Sequence, residues 1–383
     1  MYLTFKLHRN KNETQIDLFK SILNNSDLNF NITDIPYQEY CTVNITSEKE
    51  TIFNKWQYET LYQELKTFAD SLNLPKYRAL LTEGLNNQYT TFKIPKASGG
   101  FRTIDAPSDA LKDLLRSIKN LLQNTCQIHP HNAAYAYTPG RCARHALEKH
   151  QYNQSKHFLH IDLKDFFTSC DAPFIHQQLK QIYPFCKIYK EKDGPILMDI
   201  LVNFALYNGK LPQGTPLSPY LTNIIMIPID YAISNLCRQR NKQHFVYTRY
   251  ADDIDISSKY DFNYLELVRE IELILAQNSP LRINRKKIHY GTAAGRNWHL
   301  GLMLNGNNQI TIGHKKKREI KTLLLNFCKS KDSWTKEDMQ SFHGELAYFR
   351  SIEPEYHDYL IETYSQKYNN SKNIIQELRN SIK

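Results

Sequence analysis

Between residues 56 and 72 the apolar positions Leu61, Leu65, Phe68 and Leu72 recur at helical spacing, which predicts an amphipathic helix. Residues 89–104 alternate around Gly99 and Gly100, the pattern of a hairpin. Pro107 and Ser108 open a second helix whose apolar face is Leu111, Leu114, Leu115, Ile118, Leu121 and Leu122. Its other face carries Lys112, Arg116 and Lys119. Residues 156–167 read as a buried strand. Residues 212–219 are a loop dense in Gly, Pro and Ser, followed by an apolar helix that Pro228 should end or kink. Residues 246–257 alternate as a strand pair with its turn near Ala251 and Asp252. Beyond about residue 310 the pattern is helical with a basic start: Lys315, Lys316, Lys317, Arg318 and Lys321. Strands and helices mix without strict alternation, so the expected class is α+β.

Composition narrows the picture. A chain of 383 residues with 41% hydrophobic content can build one large domain or two to three subdomains. A net charge of +10 favours a polyanionic partner such as nucleic acid. The 25 tyrosines and 18 phenylalanines could supply faces for base stacking. Seven cysteines without a CxxC pair or zinc spacing fit a reducing, cytoplasmic setting. Residues 1–10 lack an apolar signal core and no apolar run approaches the ~18 residues of a membrane span, so no membrane association is expected.

Two segments put acids where strands normally stay apolar. One carries Asp162 between Ile161 and Leu163; the other carries Asp252 and Asp253 between Tyr250-Ala251 and Ile254. A carboxylate among buried strand residues is costly unless paired or metal-bound. Adjacent Asp252 and Asp253 repel each other, and a divalent cation removes that repulsion. If the segments are neighbouring strands, Asp162 and Asp252 can hold two hard cations about 3.5–4 Å apart, the arrangement of two-metal phosphoryl transfer. Solvated acids in a hairpin turn are the competing explanation of the Asp-Asp pair.

The order of segments resembles the reverse transcriptase superfamily, especially bacterial retron-type enzymes, over residues 89–364. Phe92-Lys93-Ile94-Pro95-Lys96 with Gly99-Gly100-Phe101-Arg102 looks like the fingers segment. His160 to Phe167 resembles motif A, and Leu211 to Pro219 with Asn223 resembles motif B. Tyr247-Thr248-Arg249-Tyr250-Ala251-Asp252-Asp253 looks like motif C, and Ile283-Asn284-Arg285-Lys286-Lys287 like motif D. His299-Leu300-Gly301-Leu302 stands where motif E belongs.

The resemblance implies a right-hand polymerase: fingers and palm over residues 86–309, a helical thumb over 310–383, and an N-terminal extension over 1–85. It implies two Mg²⁺ ions held by Asp162, Asp252, Asp253 and the Leu163 carbonyl. Lys96 and Arg102 would grip the triphosphate. Phe167 would be the gate that rejects a 2′-hydroxyl. Gln213 and Gly214 would shape the floor of the nucleotide site, with Asn284 also at the substrate. Lys287, or its neighbour Lys286, would protonate pyrophosphate. The implied partners are dNTPs, a structured non-coding RNA template, the RNA–DNA duplex and a defence effector protein, in anti-phage defence.

Two departures from the retron pattern stand out. His145 to His150 keeps Ala146 but sets its histidine one residue further on, and His299-Leu300-Gly301 replaces Val-Thr-Gly. A defence-associated reverse transcriptase fits these as well. No spaced carboxylates of an RNase H module and no Cys/His endonuclease spacing are visible. Two other readings remain open: an idle RNA-binding scaffold of the same fold, and a protein-primed or template-independent polymerase.

Overall fold

The computed structural model describes residues 2–6, 40–44, 52–96, 99–240, 242, 244–292, 300–368 and 373–382. In chain order it begins with an antiparallel strand pair, β1 (Tyr2–Lys6) and β2 (Tyr40–Asn44). Helices α1 (Ile52–Ser71) and α2 (Pro75–Glu83) follow, then the hairpin β3 (Tyr89–Pro95) and β4 (Phe101–Pro107). Next come α3 (Asp109–Asn120), α4 (Ala143–Tyr152), β5 (His157–Lys164), α5 (Ala172–Leu179), α6 (Phe185–Ile188) and α7 (Gly194–Ala205). Helices α8 (Ser218–Ile225) and α9 (Ile227–Gln239) lead into β6 (Val246–Tyr250) and β7 (Asp253–Ser258). After these come α10 (Tyr264–Asn278) and β8 (Arg282–Ile283). The C-terminal helices are α11 (Gly313–Ser330), α12 (Lys336–Ile352), α13 (Pro354–Tyr368) and α14 (Ile374–Ile382). No described helix is long and apolar enough to cross a membrane.

The described residues divide into two compact units. One draws on residues 1–142, 160–256 and 263–288, the other on 143–159, 257–262 and 289–383.

In the first unit the central strands run β6-β7-β5-β8. Strand alternation sets which side chains go where. Ile161, Leu163, Ile254 and Ile256 lie in the core, while His160, Asp162, Asp253 and Asp255 occupy the alternate positions. Ser108 caps α3, accepting a hydrogen bond from the Leu111 N–H, and the expected Leu111, Leu114, Leu115, Ile118 face is buried. Pro228 does break the apolar helix: α8 ends and α9 begins at Met226, with the proline in α9's first turn, where its missing N–H costs nothing. The helix expected over residues 56–72 is α1, and it is bound into this unit. Gln57 Nε2 donates to the carbonyls of Cys126 and Gln127, and Tyr62 donates to Asp193 at 2.6 Å.

The second unit is built on Leu302, Leu304, Ile320, Leu324, Phe327, Phe342, Leu346, Phe349, Leu360 and Leu378. A capping box between Thr335 and Asp338 starts α12. The basic start of α11 is partly neutralised. Lys316 pairs with Glu345 at 3.1 Å, and Lys317 pairs with Glu353, which also accepts from Thr311 and the Ile312 N–H. Lys315 and Arg318 remain exposed. The motif E expectation falls partly on His299, which lies outside the described residues; Leu300 and Gly301 both adopt positive φ, 51° and 82°.

Candidate active site

The two acidic segments meet. The turn joining β6 to β7 needs a left-handed residue, and Ala251 takes it with φ 58°. That turn aims the Asp252 carbonyl at β5, where the Leu163 N–H donates to it at 2.9 Å. The backbone of Asp162's strand and the backbone of Asp252 are therefore tied directly. Leu163 keeps its side chain in the core.

Asp162 is clasped from the other side. After β8, the Asn284 N–H donates to the Asp162 carbonyl at 2.8 Å, and Asn284 Nδ2 reaches Asp162 Oδ1 at 3.1 Å. A short 3-10 turn over Arg285–Lys287 then brings Lys287 Nζ to 2.7 Å from Asp162 Oδ2. Lys287, rather than Lys286, is the lysine of this segment that meets the carboxylate. Its hydrogen bond to Asp162 raises its pKa, while its side chain stays 60% exposed.

Electrostatically the cluster is short of positive charge. Burial lifts the Asp252 carboxyl above its usual range; Asp162 adds to this, against the residue's own backbone hydrogen bond, Lys287 and Arg102. Burial and then Asp252 push Asp253 up to about 6, with His160 opposing. His160 stands between Asp253, 3.4 Å from Nε2, and Asp255, 3.0 Å from Nδ1. Burial works against its charged form, but the hydrogen bond to Asp255 and the surrounding carboxylates outweigh it and push it up to about 9.

Of the remaining expected residues, Arg102 is the one whose charge acts on the acids; the others are held by their own neighbours. Phe167 sits in a one-turn 3-10 helix after β5, with the rings of Phe166 and Tyr137 edge-on to it. The Gln213 carbonyl accepts the Asp105 N–H at 2.7 Å, seating its loop on β4. Gly214 follows with φ 122°, and a Cβ there would lie 2.8 Å from Ile104 Cγ2 and 3.0 Å from the Asp105 carbonyl oxygen. The close approach that requires glycine is therefore to the hairpin strand. Arg102, cross-strand from Ile94, is near enough for its charge to act on Asp252. Lys96 stands at the hairpin loop, its N–H on the Gly100 carbonyl.

Sequence reasoning assigned no role to the support behind the turn. Arg249 and Asp230 are both 0% exposed and paired at 2.8 Å. Asp230 also accepts from Tyr247, and Arg249 Nη1 donates to the Ala251 carbonyl and to Asn223 Oδ1. One buried guanidinium thus holds the left-handed residue that presents Asp252. The signal was present in the sequence: a charged residue inside a buried strand demands a partner.

Among the described residues, no group of three or more His, Cys, Asp or Glu side chains already surrounds a single point in the manner of a metal cage. The donor chemistry nevertheless fits a hard divalent cation. The donors are carboxylate oxygens, and the raised Asp252 and Asp253 carry like charges that such a cation would relieve. Lys287 already supplies one positive charge to Asp162.

The family described as reverse transcriptase (RNA-dependent DNA polymerase) matches residues 94–327. The Retron Ec83 reverse transcriptase of Escherichia coli is 29% identical over 308 residues, covering 78% of this chain and 92% of that protein. The Retron Ec73 reverse transcriptase of Escherichia coli is 28% identical over 291 residues, covering 76% of this chain and 90% of that protein. Among solved structures, apo telomerase from Candida Tropicalis is 12% identical with a TM-score of 0.43. That match covers 78% of this chain and 64% of that one.

Proposed function

The chain belongs to the reverse transcriptase family of RNA-dependent DNA polymerases, and on that premise we propose that it copies a structured non-coding RNA into DNA in bacterial anti-phage defence. Its α+β architecture is that of a right-hand polymerase. In this reading β3 and β4 belong to the fingers, the β6-β7-β5-β8 strands to the palm, and residues 310–383 to the thumb. The observation that carries the proposal is the direct backbone tie between Asp162's strand and Asp252, made by the Leu163 N–H.

Asp162 and Asp252 are the residues that would hold metal, assisted by the Leu163 carbonyl, with Asp253 further removed on the His160 side. Two Mg²⁺ ions bound there would acidify the primer 3′-hydroxyl and stabilise the departing pyrophosphate. The 3′-oxygen bonds to the α-phosphorus as the bond from that phosphorus to the β-phosphate bridging oxygen breaks. Arg102 and Lys96 hold the triphosphate, Arg102 as a planar fork. Lys287, which lies on Asp162 at 2.7 Å, would donate the proton that pyrophosphate needs. Gln213, Gly214 and Asn284 shape the substrate floor.

Similarity to retron reverse transcriptases supports the copying of RNA into DNA; in this reading the template is a dedicated RNA, the product an RNA–DNA duplex, and the partner a defence effector. Cys126, Cys170, Cys186, Cys237 and Cys328 are free thiols, in keeping with a cytoplasmic enzyme. The test is to purify the protein from its native host, extract bound nucleic acid and sequence it, beside D252N/D253N. One abundant RNA with complementary DNA in the wild type alone is the expected result. Heterogeneous RNA with no DNA in either sample would overturn the proposal in favour of a scaffold.

A further inference from the structure

A steric gate needs a surface that the sugar can touch, and Phe167 offers little. It is 8% exposed, covered by Phe166 at 5.6 Å between ring centroids and by Tyr137 at 6.5 Å, both edge-on. The exposed aromatic at this spot is Tyr137, with 47% of its surface open.

Its placement is costly and held from several sides. Tyr137 has φ 57°, a conformation that non-glycine residues rarely adopt and that persists only where the surroundings fix it. Before it, the Tyr135 N–H donates to the Arg249 carbonyl at 2.8 Å, and the Ala136 carbonyl accepts Asn223 Nδ2 at 2.7 Å. After it, the Thr138 hydroxyl turns back to the Ala136 carbonyl at 3.2 Å. Arg141 Nη1 ties the segment's ends by reaching the carbonyls of Asn132 and Ala134. The same Arg249 and Asn223 that support the catalytic turn therefore support Tyr137, which fixes the ring relative to Asp252.

The surroundings of the phenol name its ligand. Burial and the nearby Asp252 carboxylate push its pKa up; Arg102 opposes this and Asp253 adds to it. It thus stands among the group expected on the triphosphate, the carboxylates expected at the α-phosphorus, and the ring expected at the sugar. A nucleoside triphosphate spanning Arg102 and Asp252 would bring its ribose toward the Tyr137–Phe167 pair.

Building on the polymerase reading above, we propose that Tyr137 and Phe167 form a two-ring gate. Tyr137 presents the face that meets the sugar, and Phe167 braces it from behind. Tyr137 is then a specificity-determining residue, and its ring rather than its hydroxyl carries the discrimination.

The test is single-nucleotide addition to a DNA primer annealed to an RNA template. The ratio of kcat/KM for rNTP to that for dNTP is read for wild type, Y137F, Y137A, F167A and the double alanine variant. Losing one packing group from a pocket changes discrimination by about 10–200-fold, so Y137A should raise the ratio at least about tenfold. Y137F should leave the ratio near wild type. Because the rings act as one wall, the double variant should exceed the larger single effect by no more than about twofold. Y137L, which keeps bulk without a ring, replaces Y137A should the latter fail to fold. Equal loss of rNTP and dNTP use, or multiplying effects in the double variant, would overturn the gate alone. A wild-type protein that adds neither nucleotide would overturn the polymerase reading and the gate with it.

Discussion

The hairpin of β6 and β7 is flanked by two buried acidic sites with opposite fates. On one side, Asp230 meets Arg249 through Nε and Nη2 at 2.8 Å each and accepts from Tyr247, so its charge is fully answered. On the other side, Asp252 and Asp253 are adjacent, largely buried and raised, with positive charge near them but no pairing of comparable quality. The contrast separates two uses of the same chemistry. An acid closed off by a fork of donors builds the scaffold. Acids left crowded and under-neutralised are, in the proposed reading, kept for a cation that comes with the substrate.

The hardest test of that contrast is to neutralise the second site. If the proposed two-metal reading holds, D252N/D253N should lower dNTP incorporation by at least about a thousandfold, because metal-held carboxylates supply several kcal/mol of transition-state stabilisation. Its stability should move the other way. Folding raises both carboxyl pKa values, so the ionised forms weaken the fold above those values, and Asn removes that penalty. In the presence of chelator the variant should melt at the wild-type temperature or a few degrees above it. A lower melting temperature would mean that Asp252 and Asp253 are structural, as Asp230 is.

Breaking the first site should do the reverse. R249M leaves Asp230 buried without its partner and should cost about 3–5 kcal/mol in denaturant unfolding. D230L/R249M, which removes both charges, should recover a large part of that loss. It should still polymerise slowly, because Ala251 and Asn223 lose the guanidinium that holds them. If the double variant regains full activity, the network has no part in placing the catalytic turn.

A smaller effect is expected where Gly214 rests on the hairpin. G214A forces a methyl group into 2.8 Å contact with Ile104 at a φ of 122°. Overpacking of this kind costs about 1–3 kcal/mol. Trimming Ile104 to Val beside it should relieve part of that cost, while the backbone strain at position 214 remains.

How much of this could be read beforehand depended on the distance over which each residue acts. The strands, the two acidic segments and the break at Pro228 follow from local patterns, and they are where alternation and proline chemistry put them. Arg249 advertised a need for a partner, but Asp230 lies 19 residues away on α9, and no periodicity links the two. Choosing between Lys286 and Lys287 required the 3-10 turn that rotates one of them onto Asp162. The destination of α1 was hidden because its partners lie far along the chain: Gln57 and Tyr62 reach groups 69 and 131 residues away. Tyr137 gave no signal at all: its position rests on a left-handed residue that composition would assign to glycine.

The same contrast between answered and unanswered charge extends, weakly, to the basic start of α11. Lys316 and Lys317 already face Glu345 and Glu353 within the second unit. Lys315 and Arg318 are exposed. A run that looks uniform in the sequence is therefore uneven as a nucleic-acid surface. Each phosphate that a cation neutralises releases counterions and so adds to the salt dependence of binding. K315A/R318A should reduce the slope of log affinity against log salt for RNA by about 2, one for each cation removed. K317A should leave that slope near wild type and cost about 1–3 kcal/mol of stability, since it leaves the largely buried Glu353 carboxylate without its lysine. Equal slopes for the two variants would mean that Lys317 leaves Glu353 to bind RNA, and that its pairing with this acid does not decide which lysines of α11 bind nucleic acid.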